Sequence, residues 1–143
     1  MKTKLATSLF ISLTIAGNCF ASDADDFIGT WLFDAIEIRN ESGDWVPSDD
    51  PRVGSDPVGY ISYDSDGYMS VQLTRRERTG SNTDYVAYFG TYEVLEIEGI
   101  VIHHTIGNLL GEPGSDQRRG YILEGDTLTL LSREGRRLRW KKP

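Results

Sequence analysis

After residue 26, the chain alternates between hydrophobic and polar positions, the pattern typical of half-buried β-strands. The clearest example is the segment 68–74, in which Met69, Val71 and Leu73 share one face and polar residues share the other. The segment 58–63 precedes it, and Asp66-Gly67 lies between the two. Because glycine accepts positive φ at little cost, this dipeptide predicts a tight turn and the two segments predict a β-hairpin.

Similar segments recur to the end of the chain, whereas none carries a sustained helical period. They cover residues 27–39, 58–63, 68–74, 85–97, 100–106, 117–125, 126–132 and 136–140. Further turns are predicted at Glu98-Gly99, Gly125-Asp126 and Glu134-Gly135. The pattern predicts an all-β domain of about eight strands in which sequential neighbours pair antiparallel, as in a barrel or a sandwich.

The first 21 residues have the layout of a secretory signal peptide. Lys2 and Lys4 precede an apolar run over residues 5–17, and small residues precede a cleavage site after Ala21. The run is shorter than the roughly 20 residues of a membrane-spanning helix, and no other run is long enough. We therefore predict no transmembrane segment and a domain of residues 22–143 that is exported, periplasmic or secreted.

Cleavage changes the charge and the cysteine content. The chain has 15 basic and 22 acidic residues, and the leader removes two basic ones, leaving 13 against 22 and a net charge of −9. This acidity argues against a nucleic-acid partner, because phosphates would be repelled. Cys19 is the one cysteine and lies in the leader, so the mature domain depends on its hydrophobic core and not on disulfides.

Read in order, the strand segments resemble the bacterial and fungal lipocalin-like domain family. The similarity is carried by "GTWLFDAIEI" (29–38), "DPVGYISYDSDGYMSVQL" (56–73), "AYFGTYEV" (87–94), "VIHHTIGNLLG" (101–111), "GSDQRRGYILEGDTLTLLS" (114–132) and "RLRW" (137–140). It implies an antiparallel up-and-down, lipocalin-like β-barrel with an internal cavity. The family usually has a longer, helix-bearing stretch after Leu73 than the "TRRERTGSNTDYV" found here. This difference leaves open whether the cavity has the usual helical cover, without which it would be more open or shallower.

The chain's two histidines are adjacent, at His103 and His104. Neighbouring side chains in a strand point to opposite faces, so the pair cannot chelate one metal ion, and no other metal-binding spacing is present. We predict neither a metal nor a cofactor. His104 shares its face with Ile100, Ile102 and Ile106, and this isoleucine-rich face is predicted to point inward. His104 would then be either a hydrogen-bonded core residue or a polar group in an apolar pocket.

Aromatic residues supply most of the remaining candidate pocket wall. Tyr88 and Tyr92 lie on one face with Gly90, which predicts space or a bend beside the two rings. Tyr60 and Tyr63 lie on opposite faces, so at most one points inward. The predicted ligand-binding set is Tyr60, Met69, Val71, Tyr88, Tyr92, Ile102, His104 and Tyr121.

Three functions fit this pattern. The first is a carrier or binder of a small hydrophobic or amphiphilic molecule in the cavity. The second is an isomerase or cyclase with His104 as general acid or base and Tyr88 assisting. The third is an interaction module whose barrel is filled by its own side chains. No sequence feature specifies an oligomeric state.

Two further features concern the ends of the domain. Trp31 and Trp140 lie on the first and last strands, which a closed barrel brings together, so we expect both to pack there. The basic segment 132–142 is expected to be a solvated outer face that protects strand edges. Weak contact with anionic lipid is the alternative.

Overall fold

The computed structural model describes residues 22–81, 83–132 and 135–143, and the predicted signal peptide, residues 1–21, lies outside the described residues. The described part begins with a short helix, α1 (Asp23–Phe27), and no helix in it is long and apolar enough to cross a membrane. The strands are β1 (Gly29–Arg39), β2 (Trp45–Pro47), β3 (Pro57–Tyr63), β4 (Tyr68–Arg75), β5 (Tyr85–Leu95), β6 (Ile100–Asn108), β7 (Asp116–Glu124), β8 (Thr127–Leu131) and β9 (Arg136–Lys141). A 3₁₀ turn, Glu96–Glu98, joins β5 to β6.

Eight strands form a closed antiparallel barrel. Each strand from β3 to β8 pairs with the next, and β1 pairs with β3 along one edge and with β9 along the other. Phe33 of β1 lies opposite Trp140 of β9 in this closing seam. The three-residue β2 pairs with the end of β1 and extends the sheet beside the ring. The predicted all-β, up-and-down barrel is confirmed, and the sandwich alternative is excluded.

The β3–β4 hairpin forms as its sequence predicts. The Asp64 carboxylate accepts hydrogen bonds from the backbone N–H groups of Asp66 and Tyr68 at 2.9 and 2.8 Å. Gly67 has φ of 87°, which only glycine adopts readily. The turn therefore fixes the register that places Met69, Val71 and Leu73 inside the barrel, where all three are buried.

One end of the barrel is filled by aromatic side chains. Phe27, the last residue of α1, packs edge-on against Tyr63 and Tyr121, with ring centroids 5.1 and 5.0 Å apart. The Trp31 indole donates a hydrogen bond to the Phe27 carbonyl at 2.8 Å. The Tyr121 hydroxyl donates to Asp23 at 2.5 Å and so ties α1 to β7. This helix, which the sequence pattern did not predict, closes the aromatic end.

The basic side chains of β9 pair with acidic side chains of β1 across the closing seam. Arg137 lies 2.7 Å from Glu37, while Arg139 and Lys141 lie 3.1 and 2.8 Å from Asp34. These pairs neutralise part of the positive charge of the segment 132–142 and support its interpretation as an outer face. Contact with anionic lipid stays a prediction.

Candidate functional site

A cavity of about 310 Å³ occupies the half of the barrel opposite α1. Side chains of β1, β3, β4, β5, β8 and β9 supply its apolar wall. They include Phe33, Ile61, Val71, Leu73, Leu130 and Trp140. The barrel is thus filled at one end and hollow at the other, so the alternative of a barrel filled entirely by its own side chains does not hold for this half.

Polar side chains also line the cavity. They are Asp50, Arg52, Gln117, Arg119, Ser132 and Arg136. Gln117 and Arg119 project inward from β7, and the other four lie towards the end opposite α1. The cavity therefore combines an apolar wall with charged and polar groups, the composition of a site that orients one end of a ligand.

The cavity is covered by residues 48–56, the covering loop, which joins β2 to β3. Val53 inserts its side chain beneath this loop and is only 2 % exposed. The Arg75 guanidinium donates hydrogen bonds to the carbonyls of Pro51 and Arg52 at 3.4 and 3.1 Å, fastening the loop to β4. Residues 76–81 and 83–84, where the family's helical cover would lie, contain no helix. A loop from another part of the chain provides the cover instead.

Asp50 fastens the covering loop to β9, which flanks β1 on the side away from β3. Its carboxylate accepts a hydrogen bond from the Arg52 backbone at 2.9 Å and lies 3.3 Å from the guanidinium of Arg136 on β9. Burial raises the pKa of Asp50, but the hydrogen bonds from Arg52 outweigh burial and hold the pKa below its ordinary 3.8. The carboxylate is therefore ionised at neutral pH and neutralises one of the two arginine charges beside it.

His103, and not His104, points into the barrel. His103 is completely buried, and its Nε2 lies 2.9 Å from the Tyr63 hydroxyl. Its Nδ1 is buried without a hydrogen-bond partner among the described residues. Burial, together with the positive charge of Arg119, lowers the pKa of His103 from 6.5 to about 3. The imidazole is therefore neutral over the whole physiological pH range.

The prediction that His104 lies in the cavity is wrong. His104 lies on the outer face, where its Nδ1 is 2.7 Å from Asp116 and its Nε2 is 3.9 Å from Glu93. The physical reason is that alternation shows which residues share a face but not which face is the core. The isoleucine-rich face of β6 points outward, and Ile106 on it is 60 % exposed. An acid–base role for His104 inside the cavity is therefore excluded.

The other predicted site residues separate into three groups. Val71 and Tyr88 line the cavity, as predicted. Met69, Tyr92 and Tyr121 point inward but pack in or against the filled core. Tyr60 and Ile102 were wrongly predicted to line the cavity, since neither is among its lining residues. Both occupy outward positions of their strands, although Ile102 is buried there. Tyr60 is 36 % exposed, and Tyr63 takes the inward position at the end of β3.

Sequence reasoning missed the charged groups of the cavity. A signal for Arg119 was present, because Gln117, Arg119, Tyr121 and Leu123 alternate along β7 and Tyr121 was already expected to face inward. No comparable signal existed for Asp50 and Arg136. Their pairing joins residues 86 positions apart, and a covering loop has no periodicity from which its contacts can be predicted.

The match to a family agrees with this architecture. The model of the lipocalin-like domain family matches residues 28–142, which include every strand of the barrel. No curated protein matches the chain. The matched segment covers most of the sequence and closes into the expected eight-stranded barrel, so the chain belongs to the lipocalin-like domain family.

Proposed function

We propose that this protein is exported and binds a small amphiphilic molecule in its barrel cavity. The lipocalin-like fold suggests small-molecule binding in general terms. The observation that supports an amphiphile in particular is the composition of the cavity, which has an apolar wall and a separate set of charged and polar side chains.

The size of the cavity limits the ligand. At about 310 Å³ it lies at the lower end of the range of known ligand pockets, roughly 300 to 1,000 Å³. Burial of the ligand's apolar part would contribute roughly 25 cal/mol per Å². A single short alkyl chain or one small ring system suits this volume, and a large polycyclic molecule does not.

Catalysis is supported less well than binding. The cavity-facing histidine that the isomerase or cyclase alternative requires is absent at position 104, whose side chain lies outside. His103 is inside, but its Nε2 is engaged by Tyr63 and its low pKa makes it a weak base. Binding without chemistry is therefore the function that the geometry favours.

Export is supported by the leader-like sequence of residues 1–21. Cleavage after Ala21 would make Ser22 the first residue, and the Ser22 side chain accepts the backbone N–H of Asp25 as the N-cap of α1. We expect mass spectrometry of the protein from the periplasm or medium of a bacterial host to give an N-terminus at Ser22. Full-length protein recovered only from the cytoplasm would contradict export.

Filling the cavity is expected to abolish most of the binding. Val71 lies on the cavity wall, so Val71→Phe places a larger side chain in the space that the ligand would occupy. We expect decanol, titrated by calorimetry and by the intrinsic tryptophan fluorescence, to which the cavity residue Trp140 contributes, to bind at least about ten-fold more weakly to this variant.

The matched control is Val58→Phe. Val58 occupies an outward position on β3, and the same substitution there leaves the cavity wall unchanged. We expect its decanol affinity to stay within about two-fold of the native value. Thermal unfolding of both variants checks that the fold is retained. Equal binding by Val71→Phe and Val58→Phe would contradict the proposal, and so would a native protein that binds neither decanol nor its carboxylate counterpart, decanoate.

A further inference from the structure

We propose that Arg119 binds the anionic head of the ligand, which makes the ligand an alkyl carboxylate with its chain along the apolar wall. This inference rests on the proposed function and assigns a chemical class to the ligand. It starts from the position of Arg119, whose side chain projects from β7 into the barrel and lines the cavity.

Arg119 differs from the other arginines of the cavity in its partner. Arg52 and Arg136 both lie within 3.4 Å of the Asp50 carboxylate. Arg119 instead donates a hydrogen bond to the neutral side chain of Gln117 at 2.8 Å, and no carboxylate among the described residues pairs with it. A guanidinium that is partly removed from water without a counter-charge is costly, and an anionic ligand would offset that cost.

The charge of the cavity is opposite to the charge of the protein. Three arginines and one aspartate are the charged residues of its lining, which gives a net charge of +2. The whole chain carries −7. The positive cavity is therefore a local feature, and it favours an anion over a neutral or cationic ligand.

Neighbouring side chains add hydrogen-bond donors without adding charge. Burial raises the pKa of Tyr88, so its hydroxyl keeps its proton in the cavity wall, although the charge of Arg119 partly opposes this rise. Ser132 and Trp140 also line the cavity, and each has a buried side-chain atom, Oγ and Nε1, with no hydrogen-bond partner among the described residues. His103 is neutral, so it offers no positive charge that would compete with Arg119 for the anionic head.

The guanidinium geometry suits a carboxylate. Its planar fork of N–H groups matches the two oxygens of a carboxylate, and such charge-assisted pairs are among the stronger hydrogen bonds in proteins. The cavity volume leaves space for one short chain besides this head group. Decanoate therefore represents the proposed ligand class, and decanol is its neutral counterpart of equal chain length.

The test compares the two probes on native protein by calorimetry at about pH 8, where the carboxylate is ionised. We expect decanoate to bind at least about ten-fold more tightly than decanol. In Arg119→Gln this ratio of affinities is expected to fall to about one, whereas Arg119→Lys, which retains the charge, keeps part of the preference.

Arg118→Gln is the matched control, because Arg118 lies on the outer face of the same strand and pairs with Glu98. It is expected to keep the native ratio. Equal binding of the two probes by native protein would overturn the assignment of Arg119 but leave the proposed function standing. A carboxylate preference that persists in Arg119→Gln would also overturn it. Binding of neither probe would overturn both proposals.

Discussion

Gly90→Ala is expected to destabilise the barrel by about 3 kcal/mol, a substantial part of the roughly 5–15 kcal/mol by which a typical domain is stable. Gly90 lies in β5 beside a register shift in its pairing with β6. A methyl group added there would overlap the backbone carbonyl of His104, which belongs to the hydrogen-bonded partner strand. Unlike a flexible side chain, this carbonyl cannot move away unless the two strands separate.

A loss of stability in Gly90→Ala would indicate that β5 and β6 approach too closely for a methyl group, because removing the flexibility of glycine alone would increase stability. In an unstrained strand, alanine in place of glycine is stabilising by about 0.5–1 kcal/mol because it restricts the unfolded chain. Gly120→Ala is the control, since its methyl group would meet only the flexible side chain of Leu131, at 3.3 Å. Urea unfolding measures both variants. Equal midpoints for the two would show that β5 and β6 can relax and that the close approach does not constrain the barrel.

Much of the fold could be predicted because its information is local. The hairpins turn at dipeptides such as Asp66-Gly67, and the strands between them alternate with period two. Register and strand order follow when neighbours in sequence pair in space. Helix α1 was missed because five residues are too few to show a helical period, and the contacts of Phe27 that hold it are tertiary.

The error over the two histidines was avoidable. Tyr92 was expected to face inward, and a hairpin that turns at Glu98-Gly99 pairs even positions of β5 with odd positions of β6. The structure pairs Tyr92 with His103 in this way. Because directly opposed residues of an antiparallel pair share a face, an inward Tyr92 requires an inward His103. Hydrophobicity favoured the isoleucine-rich face of β6 as the inward face, but the position of the turn determines which face points inward.

The candidate site was less predictable than the fold. Alternation along β7 could have located Arg119 inside the barrel. The pairing of Asp50 with Arg136 joins a loop to a distant strand, and it determines which arginine in the cavity is left without a carboxylate. That distinction depends on the three-dimensional arrangement, so no inspection of the sequence could have assigned the head group to Arg119.

The buried histidine makes stability depend on pH. The pKa of His103 is about 3 in the folded protein and returns to its ordinary 6.5 on unfolding. Between these values the unfolded chain binds a proton that the folded protein does not, so the free energy of unfolding falls as the pH falls from 6.5 towards 3. At pH 5 the expected loss from this residue is about 2 kcal/mol relative to neutral pH.

Between pH 7 and pH 5, the contribution of His103 to the free energy of unfolding can be distinguished from the contributions of the acidic side chains. Asp50, whose pKa is held below 3.8, contributes its stability above that value and loses it only at lower pH. We expect urea unfolding at pH 7 and pH 5 to show the full loss in native protein and in His104→Gln, and little loss in His103→Gln. Burial raises the pKa values of Tyr63 and Tyr88, which lie beside His103, so both keep their protons throughout this range, and Arg119 acts on His103 through its positive charge. Native protein that is equally stable at both pH values would mean that His103 accepts a proton inside the barrel, beside Arg119, and would contradict the low pKa of the buried imidazole.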